Sequence, residues 1–282
     1  MTWQLAMALH IIAGAGFNIF QRQVAKGRSF DFRTATSVIY VAAWLLGSAY
    51  AFSSGSLDFS ISGRLWLWLF IAGALFSTGM IARFKALEKV DAAEMQLINN
   101  LSIVVAIGGM SLWLGESLAG VQYLGAALII ISTFVVTLHQ LKLKSVGVFF
   151  QIGLLSALLM GLGSSVERYL LLDIPITTYF VVGWGTQALW TVLLSSRQLK
   201  HLKIDYQTLK PLLGLGLMLF LAGSTFVAAL SMTENGSVIS ALRAVKIPAT
   251  VIGATILLKE RRRLTRKTIG TFLAIIGVML TV

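Results

Sequence analysis

Two full cations, Arg243 and Lys246, stand three residues apart in the stretch SALRAVKIPATVIGATILLKE, residues 240–260, which is otherwise apolar. At helical spacing they share one face, and two cations on one face can hold a carboxylate or a phosphate. Pro248 follows them; it donates no amide hydrogen and leaves the Ala244 carbonyl, which lies between the cations, without its usual helical partner. A second polar set, Gln96, Asn99 and Asn100, recurs on one face of the run from Ala92 to Leu114 and supplies amide donors and acceptors. A shift of 144 residues lays Arg243 on Asn99 and Lys246 on Ser102. Asn18 with Gln21, Ser164 with Ser165, and Gln187 with Trp184 line the same cavity or hydrogen-bond between helices, the two readings weighing about equally. The expected substrate contacts are therefore Arg243, Lys246, Asn99, Asn100, Gln96, Asn18 and Ser164, with Pro248 as a helix break. No catalytic residue is expected, since there is no nucleophile elbow, paired-aspartate site or histidine–metal pattern. The chain has no cysteine, and its three histidines, His10, His139 and His201, are scattered, so neither a metal nor another cofactor is expected.

These side chains need elements that place them in a bilayer. The 282 residues are 57% hydrophobic and 12% charged, against about 25% charged in a soluble domain. Such a surplus exceeds what one water-facing core absorbs, and the expectation is an all-α integral membrane protein. Apolar runs and turn clusters such as SSGSLDFSISG and TENGS predict ten spans: Thr2 to Gln21, Thr34 to Phe52, Leu65 to Ala82, Ala92 to Leu114, Ala119 to Leu138, Val146 to Glu167, Ile176 to Ser195, Leu209 to Leu230, Gly236 to Leu258, and Thr268 to Val282. The first span has no cation before it and no cleavage pattern after it, which reads as a retained helix rather than a secretory signal.

Span 9 has its midpoint at Ile247, so Lys246 lies near the bilayer centre and Arg243 about one turn away. Two central cations cost about 5–7 kcal/mol on insertion scales, and the ten Val, Ile and Leu residues of the span return roughly 3–6 kcal/mol. Alone, the span inserts marginally, so its cations must face other helices or water. Glu94, Glu167, Asp173 and Glu234 all read as span-end residues, which leaves no counter-charge at that depth and points to an anionic substrate. Two other roles stay open. Arg243 could reach Glu234 or Glu167 as a structural pair, or Lys246 could exchange protons and couple transport to the proton gradient.

Of the 23 lysines and arginines, 19 fall in the connections after odd-numbered spans, including Arg22, Arg83, Lys142, Arg197 and Arg262. Positive loops stay cytoplasmic, so the expectation is a multi-pass cell (inner) membrane protein with both termini outside. Single cysteines introduced at Ser56 and Arg262 should label from outside and inside respectively; an outward Arg262 overturns this orientation. The net charge of +12 is thus explained by topology, and no nucleic-acid partner is expected. Equivalent loops carry opposite charge bias: the loop after span 4 has no cation and that after span 9 has six, whereas the loops after spans 3 and 8 have three and none. Two five-helix repeats of opposite orientation require this, residues 1–141 and 142–282, with no soluble domain.

The segments FKALEKVDAAEMQLINNLSIVVAIGGMSLWLGESLAGVQYLGAALIIISTFVV and VIGATILLKERRRLTRKTIGTFLAIIGVML share an Ala-Leu helix end, a polar helix start, a Glu closing span 4 or 9 (Glu116, Glu260) and a Gly about ten residues later. In these features the chain resembles the drug/metabolite transporter superfamily, specifically its EamA-type ten-helix members. That resemblance implies export of metabolites, amino acids or drugs by alternating access; a related branch, the triose-phosphate translocators, binds phosphate with cations on the equivalent helices. Two features depart from the pattern: the outside termini, and Ser102-Ile103-Val104 where such proteins often carry a helix 4 proline.

The function expected from these features is a secondary transporter moving a small anionic or carboxylate-bearing metabolite, such as an amino acid, organic acid or phosphorylated compound. Its cavity is expected between spans 1, 3, 4, 6, 8 and 9. The alternative is a proton-coupled exporter of drugs or other metabolites with Lys246 in the coupling. The expected partners are the lipid bilayer, the substrate and, in that alternative, protons, with the chain a monomer or homodimer. An ATP-driven pump wants a Walker sequence and a channel wants a filter segment; neither is present.

Overall fold

A computed structural model describes residues 2–27, 31–55, 57–116, 120–137, 144–200, 206–234, 236–260 and 264–281. His139, His201, Lys142, the labelling positions Ser56 and Arg262, and the boundary between residues 141 and 142 lie outside the described residues. Among those described, the chain forms helices α1 (Trp3–Gly27), α2 (Phe32–Ser54) and α3 (Gly63–Ala86), then α4a (Ala92–Asn99) and α4b (Leu101–Leu114), separated by Asn100. They continue as α5 (Gly120–Thr137), α6 (Lys144–Asp173), α7 (Ile176–Leu194) and α8 (Tyr206–Ser231). Next come α9a (Gly236–Leu242), a 3-10 turn (Arg243–Val245), α9b (Lys246–Leu257) and α10 (Leu264–Thr281). Helices α1, α2, α3, α4a–α4b, α6 and α8 are long and apolar enough to cross a membrane.

Local chemistry sets several of these ends. Asp31 caps α2 by accepting the Arg33 and Thr34 amides, satisfying donors that an open helix start leaves free. Gly55, at φ 70°, and Gly115, at φ 68°, close α2 and α4b in the left-handed region, where glycine has no Cβ clash. Lys259 takes the same backbone conformation, φ 56°, after α9b.

Helices α1, α3 and α6 run past the predicted spans at their C-terminal ends, and the extra residues include Arg22, Arg83 and Arg168. Hydropathy measures how much of a helix suits lipid. These ends are instead buried by neighbouring helices, with Arg83 only 3% exposed. The exterior reverses the usual partition: Leu112 is 85%, Ile12 71% and Leu257 70% exposed. Apolar side chains outside and charges inside suit a bilayer as solvent, where lipid solvates leucine and the charges find partners within.

Packing partners recur when the helix number advances by five. Helix α1 packs along α8 as α3 does along α6, and α2 meets α8 as α3 meets α7, while α2 with α7 and α5 with α10 form self-equivalent pairs. Helices α9a and α9b pack on α4b and α4a respectively, so the two interrupted helices lie antiparallel. One apolar cluster, with Leu69, Leu170, Phe180 and Phe226, fills one end of the bundle. Another, with Ile39, Phe84, Ile98 and Leu215, fills the other end.

Candidate functional site

Between these two clusters lies a cavity of about 130 Å³, roughly ten times the 10–15 Å³ needed to admit one water. Its polar lining includes Asn18, Arg83, Asn99, Glu167, Arg243 and Lys246. Tyr40 of α2, and Trp184 and Gln187 of α7, also line it, so the wall includes α2 and α7 beyond the six predicted spans.

Lys246 is buried, and its stem lies across α1: a Cβ at Gly14 would stand 3.4 Å from Lys246 Cδ and 3.8 Å from Nζ. No carboxylate among the described residues is within ion-pair distance of that ammonium. Arg243 Nη1 donates to Ser164 Oγ at 3.1 Å, its guanidinium carbon lies 4.7 Å from the Phe226 ring centre, and its Nε has no partner. The backbone around Arg243 is the 3-10 turn that interrupts α9. Pro248 is the third residue of α9b, so the irregularity lies one turn ahead of it, at the Ala244 carbonyl, which the proline deprives of its usual i+4 amide donor. The counterpart in α4 needs no proline: Asn100 stays near helical geometry (φ −65°, ψ −25°), and Ser102 Oγ donates to the Asn99 carbonyl at 2.6 Å.

Five of the seven expected contacts, Asn18, Asn99, Ser164, Arg243 and Lys246, line this one cavity. Gln96 stands behind it, its Oε1 accepting from Asn18 Nδ2 at 2.6 Å. Asn100 is fully buried outside the lining, with neither side-chain polar atom paired. Asn18 joins α1 to three other helices, because its Nδ2 also reaches Thr250 Oγ1 at 3.4 Å and its Oδ1 accepts from Arg83 Nη2 at 2.8 Å.

Sequence reading missed the lining roles of Arg83, Glu167 and His10. Arg83, counted there among the loop cations, is buried near the end of α3, where its Nε donates to Gln21 Oε1 at 2.9 Å. Glu167, read as a span-end residue, lines the cavity and accepts from the Tyr179 hydroxyl at 2.9 Å. The cavity wall therefore holds a carboxylate, contrary to the reading that none lies at that depth; α6 runs to Asp173 and draws Glu167 inward. His10, whose Nδ1–H donates to the Ala222 carbonyl at 2.8 Å, leaves Nε2 unpaired at the same wall. Its position inside span 1 was the available signal.

The EamA-like transporter family matches residues 1–138. A Sinorhizobium sp. protein named as an uncharacterized transporter in the cobO 3' region is 31% identical over 129 residues, which make up 45% of this chain and 91% of that protein. The chain belongs to the EamA-like transporter family. A crystal structure of a protein 13% identical in sequence superimposes with a TM-score of 0.71, covering 99% of this chain and 96% of that one; it speaks to the fold alone. This EamA-like protein is thus a multi-pass, all-α membrane transporter with an internal cavity that gathers cations from α3 and α9, a carboxylate from α6, and amides from α1 and α4.

Proposed function

We propose that this chain is a secondary transporter of a small anionic or carboxylate-bearing metabolite, built as two inverted repeats, residues 1–141 and 142–282, that expose the central cavity to alternate sides of the cell membrane. One observation carries the substrate class: three cations, Arg83, Arg243 and Lys246, face one carboxylate, Glu167, across the lining, and Lys246 has no ionic partner among the described residues. The formal surplus is two positive charges, and a charge held away from water wants a counter-charge. An anion entering the cavity supplies it. The recurrence of packing partners five helices apart supports the repeats, and the positive-inside count supports termini facing outside.

The test is counterflow in proteoliposomes. Vesicles preloaded with unlabelled carboxylates, amino acids or phosphorylated sugars should accelerate uptake of the labelled compound, whereas an enzyme would convert the label and a channel would show no exchange. Acceleration confined to cationic substrates overturns the anion reading. A second reading, proton coupling through Lys246, rests on the same unpaired ammonium. It predicts that Lys246→Gln keeps counterflow exchange and loses uptake driven by a proton gradient; a substrate contact loses both.

A further inference from the structure

Outside the cavity, two buried arginines make matching sets of contacts. Arg22, near the end of α1, donates from Nε to Glu260 Oε1 at 2.8 Å, from Nη2 to Asp91 Oδ1 at 3.4 Å, and from Nη1 to the Leu87 carbonyl. Arg168, near the end of α6, donates from Nε to Glu116 Oε1 at 3.1 Å and from Nη1 to the Leu230 carbonyl at 2.8 Å. Its Nη2 reaches the Thr233 and Glu234 carbonyls at 3.1 and 2.9 Å. The second oxygen of each glutamate caps a helix start: Glu260 Oε2 accepts the Ala92 amide at the head of α4a at 2.9 Å, and Glu116 Oε2 accepts the Ser237 amide at the head of α9a at 3.0 Å. The left-handed residues Gly115 and Lys259 immediately precede the two glutamates. Five members of the sets pair 143 to 146 residues apart along the chain: Leu87 with Leu230, Gly115 with Lys259, Glu116 with Glu260, Ala92 with Ser237, and Arg22 with Arg168. The Nη2 partners differ, a carboxylate (Asp91) in one set and the Thr233 and Glu234 carbonyls in the other.

Successive helices reverse direction, so the ends of α1, α3 and α9 lie at one end of the bundle and the ends of α4, α6 and α8 at the other. Arg22 therefore ties α1 to α3, α4a and α9b at one membrane face, and Arg168 ties α6 to α4b, α8 and α9a at the opposite face. The cavity lies between them. Asp91 also receives Lys267 Nζ at 2.9 Å, which reinforces the Arg22 end.

From this placement we infer that Arg22–Glu260 and Arg168–Glu116 are paired gate latches: releasing one opens the cavity to its own face of the membrane while the other keeps the far face shut. The inference rests on the transporter reading. Each latch joins the helix that carries its arginine to the α4–α9 pair by a planar guanidinium fork over a carboxylate and carbonyls, a directional contact that a small helix displacement breaks completely. Breaking both at once strands two buried arginines and two carboxylates, which favours opening one face at a time.

The test uses the cysteine-free chain carrying one reporter, Met160→Cys, at the cavity wall, and a membrane-impermeant thiol reagent added to either side. Glutamine still accepts an amide hydrogen, so Glu260→Gln and Glu116→Gln retain the helix caps and lose the Arg22–Glu260 and Arg168–Glu116 ion pairs, while the longer Arg22–Asp91 contact stays. Glu260→Gln should raise labelling from the Arg22 face, and Glu116→Gln from the Arg168 face, each by about fivefold or more. Unchanged sidedness in both folded variants, or a shift of both toward the same face, overturns the latches. Should a glutamine variant fail to insert, Arg22→Lys and Arg168→Lys carry the same readout and the same criteria. Labelling needs no substrate, and counterflow by the otherwise unmodified reporter protein reports separately on whether the chain is a transporter at all.

Discussion

Lys246→Gln is expected to lower counterflow of the anionic substrate by about ten- to a hundredfold, the loss that follows from removing a charged hydrogen-bond donor worth about 1.5–3 kcal/mol. Three observations set the size of the effect. The ammonium faces a cavity, its stem rests on Gly14, and no carboxylate among the described residues shares it. Glutamine keeps much of the length and some hydrogen bonding, so protein levels should hold, which separates function from folding. Arg243→Gln should cost less, because Ser164 and the Phe226 ring already engage that guanidinium. Equal wild-type rates for both variants at equal protein levels would remove these cations from the transport site.

Gly161→Ala should destabilise the fold, because the added methyl meets both a rigid branched side chain and a backbone carbonyl. A Cβ there would lie 2.6 Å from Val105 Cβ and 2.7 Å from the Ser102 carbonyl oxygen. A backbone carbonyl cannot swing aside, so α4b and α6 would have to separate where α6 also presents Ser164 and Glu167 to the cavity. Overpacking of this kind costs about 1–3 kcal/mol, more than the roughly 1 kcal/mol that alanine gains over glycine in a helix. Gly108→Ala is the control: nothing stands within 4 Å of its added methyl, so helix propensity alone acts and stability should rise slightly. Melting curves in detergent should move in opposite directions for the two variants; a Gly161→Ala protein that melts no earlier than the parent would show that these helices do not touch as described.

The two cations of α9 were legible as site candidates because charges within an apolar run have no inexpensive place in lipid. Glu116 and Glu260 were legible as residues that close spans 4 and 9; the amides and arginines they engage came from the packing. Arg83, Glu167 and His10 were not legible as a cluster. Hydropathy ends a span where lipid-facing residues end, whereas α3 and α6 continue under the cover of their neighbours. Asn100 shows the converse error: helical spacing put it on one face with Gln96 and Asn99, yet a face some 100° wide can be divided between a cavity and a packed interface.

Sequence by itself determined the all-α membrane class, the approximate helix positions, the presence of Arg243 and Lys246 inside an apolar run, and the family resemblance, since each follows from hydropathy or residue spacing along one chain. Tertiary structure alone decided that Arg83 and Glu167 share a cavity with those cations, and that Arg22 and Arg168 close matching sets of contacts at opposite ends. The partners in these sets lie as far apart as Arg22 and Glu260, separated by most of the chain. Which side chain meets which across such a distance is set by helix packing and by the need to satisfy buried charge, and neither is written in any local window.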